Sequence, residues 1–167
     1  EKMKDKRLRE RRLVYYKEDN DQIEILLNDF LKLSSAKAIF LIDKEGHLIS
    51  QQGVTDSIHA ESLSALIAGS FAATKEMAKI LGEAEFSVMF HQGKRDHIHI
   101  ALIGDRAIGA IVFNEQTTVG MVSLYCKELI QKLEKIFEVA SKRIMKEQSL
   151  DGYSDSVRDR FDDVFKD

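Results

Sequence analysis

The chain contains no proline and no tryptophan, and its only cysteine is Cys126. Loops are therefore expected to be short and built on Gly, Asn and Asp. One cysteine excludes a disulfide framework and a cysteine-rich metal site, and it fits a reduced, intracellular chain. Neither sign of charge dominates: 25 Lys and Arg face 28 Asp and Glu, for a net charge of −3. Global electrostatics thus point to no nucleic acid and no membrane surface as partner. No apolar run approaches the length needed to span a bilayer. The first residues are charged, with no apolar stretch behind them, so they do not read as a secretory leader. Chemistry is scarce too. No G-x-x-x-x-G-K-[ST] loop occurs, so the chain is not itself a P-loop GTPase. No Ser–His–Asp or Cys–His spacing recommends a nucleophile, and no catalytic residue or cofactor is expected.

What remains is a pattern of hydrophobic periods. At 167 residues and 44% hydrophobic content, the chain fits one domain with a proper core and extra length at its ends. Residues 1–12, EKMKDKRLRERR, are charged and lack an apolar stripe, and they read as a solvated extension. Glu1, Asp5 and Glu10 dilute the alternative of a basic arm for nucleic acid. LVYY, residues 13–16, suits a short edge strand. From Asp19 the period changes: Ile23, Leu26, Leu27, Phe30 and Leu31 mark one face of a helix that ends near Ser34 or Ser35, with Asp19 or Asn20 as its cap.

AIFLID (38–43) is a buried strand, DKEG (43–46) a tight turn, and HLISQQ (47–52) the returning strand of an antiparallel pair. A second helix is expected over 58–81, capped by Asp56 or Ser57 and ended by Gly82. Strands follow at 86–92, 97–104 and 107–114 as a meander joined by short turns. A last long helix runs from about Gly120 to Lys146 on a stripe that includes Val122, Leu129, Leu133 and Phe137. The order predicts an α/β sandwich of the α+β kind: one five-stranded antiparallel sheet with helices on its faces. Profilin-like, longin-like and PAS-like domains share this outline. After Gly152, Val157, Phe161, Val164 and Phe165 fall at i, i+4, i+7 and i+8. They suggest a separate short amphipathic helix on a tether, suited to a partner groove.

His97 and His99 share a strand face, with His91 close in sequence. Two alternating histidines want a third and fourth ligand to hold zinc, so no metal is expected. Asp43 and Glu45 are turn residues before they are an acid–base pair.

The second helix is the unusual element. Leu63, Leu66, Ile67, Ser70, Phe71, Thr74, Met77, Ala78 and Leu81 form the side expected to pack on the sheet. Ala65, Ala68, Gly69, Ala72, Ala73 and Glu76 lie on or beside the other side, where a surface helix ordinarily carries charge. A mid-helix glycine costs about 0.5–1 kcal/mol relative to alanine. Small residues three and four apart let another backbone come close. The expectation is a protein–protein surface, a homodimer seam or a partner platform.

FLIDKEGHLIS (40–50), SLSALIAGSFAATKEMAKILGEAEF (62–86), FHQGKR (90–95) and VFNEQTTVGMVSL (112–124) resemble the Roadblock superfamily. Within it they look most like the bacterial MglB-type proteins, partners of the Ras-like polarity GTPases of the MglA type. The resemblance covers residues 13 to about 145, and LVYYKED and FDDVFKD also look like this subgroup. It implies a Roadblock fold and a homodimer, usually with a continuous ten-stranded sheet. The paired second helices form the platform that docks one GTPase on two Roadblock subunits. By that resemblance Ala65, Ala68, Gly69, Ala72, Ala73 and Glu76 are contact candidates, although Lys75 and Glu76 stand where smaller residues would be expected. It further implies a GTPase-activating protein that supplies no arginine finger, so Arg95 and Arg106 are expected to be solvated turn residues. Val157, Phe161, Val164 and Phe165 would dock on the GTPase and favour nucleotide exchange. The division implied is 1–12, a Roadblock domain over 13–147, and a tether and helix over 148–167. The implied place is the cytoplasm, including a cell pole. A non-catalytic Roadblock adaptor and a small-molecule sensor are the other functions this outline allows.

Overall fold

The computed structural model describes residues 19–164. Three helices and five strands follow one another: α1 (Asn20–Ser34), β1 (Ala38–Asp43), β2 (Leu48–Gly53), α2 (Ala60–Ile80), β3 (Val88–Gln92), β4 (His97–Ile103), β5 (Ala107–Phe113) and α3 (Val119–Val164). The strands form one sheet in the order β2-β1-β5-β4-β3, and all neighbours are antiparallel. This is the predicted α+β sandwich. The LVYY strand expected over 13–16 and the 1–12 extension lie outside the described residues.

Each central strand is buried on both faces, because helices cover both sides of the sheet. Alternation then divides the core in two. Ile39, Leu41, Ile103 and Ile111 point to the α1/α3 layer, where they meet Ile23, Leu27, Phe30, Val122, Leu129 and Leu133. Phe40, Ile42, Ile100 and Ile108 point to the α2 layer and meet Ile67, Ala68 and Phe71. Full burial of one such side chain contributes about 1.5–3 kcal/mol.

Asp43 ends β1 and organises the turn. Its Oδ1 accepts from the backbone N–H of Glu45 and of His47, each at 2.9 Å, and its Oδ2 lies 3.2 Å from His47 Nδ1. A side chain that satisfies two turn amides fixes the hairpin without proline. Gly46 takes φ 92°, where an added Cβ would meet Ala65 Cα at 3.0 Å. Glycine is required there both by the positive φ and by the close approach of α2.

Two expected helix caps turn out differently. Neither Asp56 nor Ser57 caps α2; His59 occupies the cap position and makes no side-chain cap bond. Asp19 occupies the cap position of α1, but its carboxylate turns away to accept from Arg143 Nη2 at 2.9 Å. Thr118 caps α3 instead, accepting from Met121 N–H at 3.2 Å. The end of α2 follows expectation. Gly82 adopts φ 80°, Gly82 N–H donates to Lys79 O and Glu83 N–H to Ala78 O, a Schellman closure.

The larger correction concerns the tail. α3 does not stop near Lys146; it continues as one helix of 46 residues to Val164, through Gly152 and the expected tether. A lone glycine inside a helix costs only about 1 kcal/mol, and no proline follows to force a stop. Val157, Phe161 and Val164 therefore extend α3 instead of forming a separate helix, and Phe165 lies outside the described residues. No helix among the described residues is long and apolar enough to cross a membrane.

Candidate functional site

α2 carries two apolar stripes, not one. Ser64, Ile67, Ala68, Phe71 and Ala78 are buried and face the sheet. Ser64 satisfies itself in that layer by donating from Oγ to Ala60 O at 2.6 Å. The second stripe points away from the sheet: Leu66 is 70% exposed, Met77 52%, Ile80 85% and Leu81 71%. These residues recur at three- and four-residue spacing, with Gly69, Ser70 and Ala73 between them. The stripe spans about 20 Å at 1.5 Å per residue.

This revises the sequence reading in both directions. Leu66, Ser70, Met77 and Leu81 were expected against the sheet and lie outward. Ala68 was expected on the open side and is buried at 7% exposure, against the β1–β2 turn and the sheet. Ala65 is exposed, yet its Cα sits beside Gly46. Gly69, Ala72, Ala73 and Glu76 are exposed as expected. A Cβ built on Gly69 meets nothing within 4 Å, so no contact among the described residues demands glycine there. Glu76 is bonded by Lys79 Nζ at 2.7 Å, and that ammonium holds its carboxyl below the usual carboxylate range.

The geometry is a shallow apolar ridge with a flat middle. Leu66 at one end and Met77, Ile80 and Leu81 at the other offer greasy area, and Gly69, Ala72 and Ala73 between them allow an approaching helix to come near. Interaxial distance between packed helices depends on the side chains at the contact, so small residues at the centre shorten it. A contiguous exposed apolar surface of this kind marks an interaction site.

A second exposed feature is β3. Among the described residues it is an edge strand whose outer N–H and C=O groups face no other strand, and Val88 and Phe90 are 50% and 43% exposed. No charge, proline or bulge protects this edge, the usual devices against pairing. Sequence periodicity could find β3, but only sheet order reveals it as an edge.

The arginines are placed on turns, as expected. Arg106 is tied back onto the fold: Nη2 donates to Ser141 Oγ at 2.6 Å, and Nε lies 3.6 Å from Asp105. Arg95 is exposed in the β3–β4 turn. The histidines diverge. His97 and His99 share the α1/α3 face of β4, whereas His91 is paired with Ile98 and points to the other side. Burial alone pushes the His99 imidazole below its ordinary range. Asp43, Glu45 and His47 converge at the β1–β2 turn, and their geometry is accounted for by the turn bonds already described.

A Roadblock/LC7 domain model matches residues 22–113, more than half of the chain. The chain belongs to the Roadblock/LC7 family. Its likeness to solved Roadblock structures includes several MglB proteins. It is 38% identical to Myxococcus xanthus MglB, with a TM-score of 0.70, over 72% of this chain and 90% of that one. It is 30% identical to the gliding protein MglB of Thermus thermophilus, with a TM-score of 0.67, over 71% and 90%. An MglB described as having a tetrameric arrangement is also 30% identical, with a TM-score of 0.69, over 72% and 90%. A Roadblock/LC7 domain from Streptomyces avermitilis shares 12% identity and shows the fold alone. No curated protein matches the chain.

Proposed function

We propose that this Roadblock protein is a homodimeric regulator of a Ras-like GTPase of the MglA type, accelerating GTP hydrolysis without contributing a catalytic residue. The observation that carries the reading is the outward stripe of α2, apolar at its ends and flat at Gly69, Ala72 and Ala73, in a chain with 38% identity to an MglB. Two such stripes laid side by side make a platform wide enough for one GTPase. The free edge of β3 supplies the second half of the seam, pairing with its own copy to extend the sheet.

The mechanism is population shift. A platform that binds the hydrolysis-competent arrangement of the GTPase switch loops better than the alternatives moves the loops toward it, and only that difference in affinity accelerates hydrolysis. The attacking water is then oriented by the GTPase's own groups. Arg106, held to Ser141 and Asp105, is committed to its own fold, which disfavours it as a finger. The end of α3, with Val157, Phe161 and Val164, together with Phe165 next in sequence, is the second contact, docking away from the nucleotide and favouring exchange. On this reading residues 13–147 are the domain and 148–167 the docking extension, and the protein works in the cytoplasm, including at a cell pole, with no nucleic acid or membrane as partner.

The test is single-turnover GTP hydrolysis by the MglA-type GTPase of the same organism, with and without this protein. Acceleration of tenfold or more supports the proposal. A stable complex without acceleration makes the protein a scaffold, and no complex at all removes the GTPase reading. Truncation after Gln148 is expected to alter affinity or exchange; if it alters neither, the docking role of the tail is lost.

A further inference from the structure

His99 sits in an unusual place for a histidine. It is 3% exposed in the α1/α3 core, and among the described residues its Nδ1 has no hydrogen-bond partner. Two residues away on the same face, the Nδ1 of His97 is also buried without a partner. In register, Phe90 of β3 lies opposite His99 on one side and Ile111 of β5 on the other. Phe90, His97 and Phe113 form a ring cluster, with centroids 6.0 Å (Phe90–His97), 6.0 Å (Phe90–Phe113) and 5.2 Å (His97–Phe113) apart. Phe90 of the edge strand thus packs on the His97 ring and stands opposite His99 in register.

Among the described residues, no carboxylate faces His99. From β3 the face presents Phe90, with Val88 and Gln92 beside it, and from β5 it presents Ile111 and Phe113. α1 turns Ile23, Leu27 and Phe30 inward. α3 turns Val122, Cys126, Leu129 and Leu133 inward with the half-buried Tyr125 beside them, and the Cys126 thiol is pushed up to about 12, so it stays neutral. The nearest charges along the strand are at the rim, where Asp96, next to His97, is taken by Lys37 Nζ at 3.2 Å. Among the described residues, no carboxylate bonds either ring.

We propose that His99 makes the seating of β3 depend on acidity: when its imidazole takes a proton, β3 lifts from β4, and whatever is paired to the free edge of β3 is released. A buried charge without a partner is relieved by admitting water, through the element that is easiest to move. β5 is buried along its whole length, and α3 is held by side chains with almost no exposure. Within a single chain, among the described residues, β3 is bonded on one side only and is mostly exposed. In the closed form burial lowers the proton affinity of His99 from the ordinary value of 6.5. The open form binds a proton from about that pH downward, so the closed form loses stability as pH falls below it. The release of a paired copy rests on the β3 seam proposed above. The opening of β3 does not, and it is measured separately.

The experiment is amide hydrogen exchange on the full chain between pH 7.5 and 5, corrected for intrinsic rates. Protection of residues 88–92 is expected to fall at least tenfold more than protection of β1 and β5, and His99→Leu is expected to remove that difference. Uniform loss across the sheet overturns the proposal, as does an acid-dependent loss at β3 that survives in His99→Leu. If His99→Leu does not fold, the imidazole signal of the native chain decides. A His99 that gains its proton in the ordinary histidine range while β3 stays protected overturns it. Protonation coincident with β3 opening supports it.

Discussion

Arg143 donates from Nη2 to the Asp19 carboxylate at 2.9 Å and so joins the start of α1 to α3 across 124 positions of the chain. The carboxylate is nearly enclosed and its Oδ2 has no partner among the described residues, whereas the arginine remains half exposed. Removing the arginine leaves a buried charge without a counterpart, while amidating the acid removes the charge and keeps an acceptor. Arg143→Ala is expected to destabilise by about 1–3 kcal/mol, and Asp19→Asn by less. Urea unfolding of the two variants checks the order, and equal losses would contradict it.

Ala68 and Ala73 test the assignment of the two sides of α2. Ala73→Arg places a charge on the exposed stripe and is expected to keep the fold, with a thermal midpoint close to that of the parent, while abolishing the GTPase complex. Ala68→Arg pushes the same group toward the sheet at a site 7% exposed. It is expected to destabilise by about 3 kcal/mol or more, or to prevent folding. Circular dichroism and size-exclusion chromatography of the pair separate the outcomes. Loss of fold in Ala73→Arg would mean that the stripe is covered within the chain.

Cys126 is buried in the α1/α3 core, and burial pushes its thiol up to about 12. At pH 8 almost no thiolate exists in the folded chain, so alkylation is expected to run at least about a hundredfold slower than in urea. Because the folded value is raised, its linkage contribution is fully present below about pH 9 and is lost as pH climbs toward 12. Rapid alkylation of the folded protein would show that α3 opens readily.

Arg95 and Arg106 are expected to be dispensable for catalysis. Each alanine variant should keep most of the stimulation of GTP hydrolysis. Arg106→Ala should also lose up to about 1 kcal/mol of stability with its bonds to Ser141 and Asp105. A drop beyond tenfold in stimulation with binding retained would reinstate an arginine finger.

Most of the fold was legible because hydrophobic period and turn chemistry agreed. AIFLID and AIGAIVF have the apolar runs of strands buried on both faces, and Asp43 and Gly46 announced a tight turn. Gly82 was legible because a left-handed position at a helix end calls for glycine. The candidate surface was only half legible. On α2, Leu63, Ile67, Phe71 and Ala78 share the three- and four-residue spacing of Leu66, Ser70, Met77 and Leu81, and both sets are apolar. Period alone cannot tell which set meets the sheet when neither side carries charge. Gly152 misled for the opposite reason, since one local preference was set against the cooperativity of a helix already formed. The caps at Asp56 and Ser57 failed because residue type permits a cap without requiring one.

The two margins of the sheet are chemically unlike. β2 lies at one side with Gln51 and Gln52, and β3 lies at the other with Val88 and Phe90 open to solvent. A margin that meets its own copy about a two-fold axis is consumed in the meeting, and the distant margin offers it no likeness to continue the row. An association through β3 therefore stops at two. On the proposed seam, raising the concentration would fill more pairs through β3 without lengthening the row through that margin.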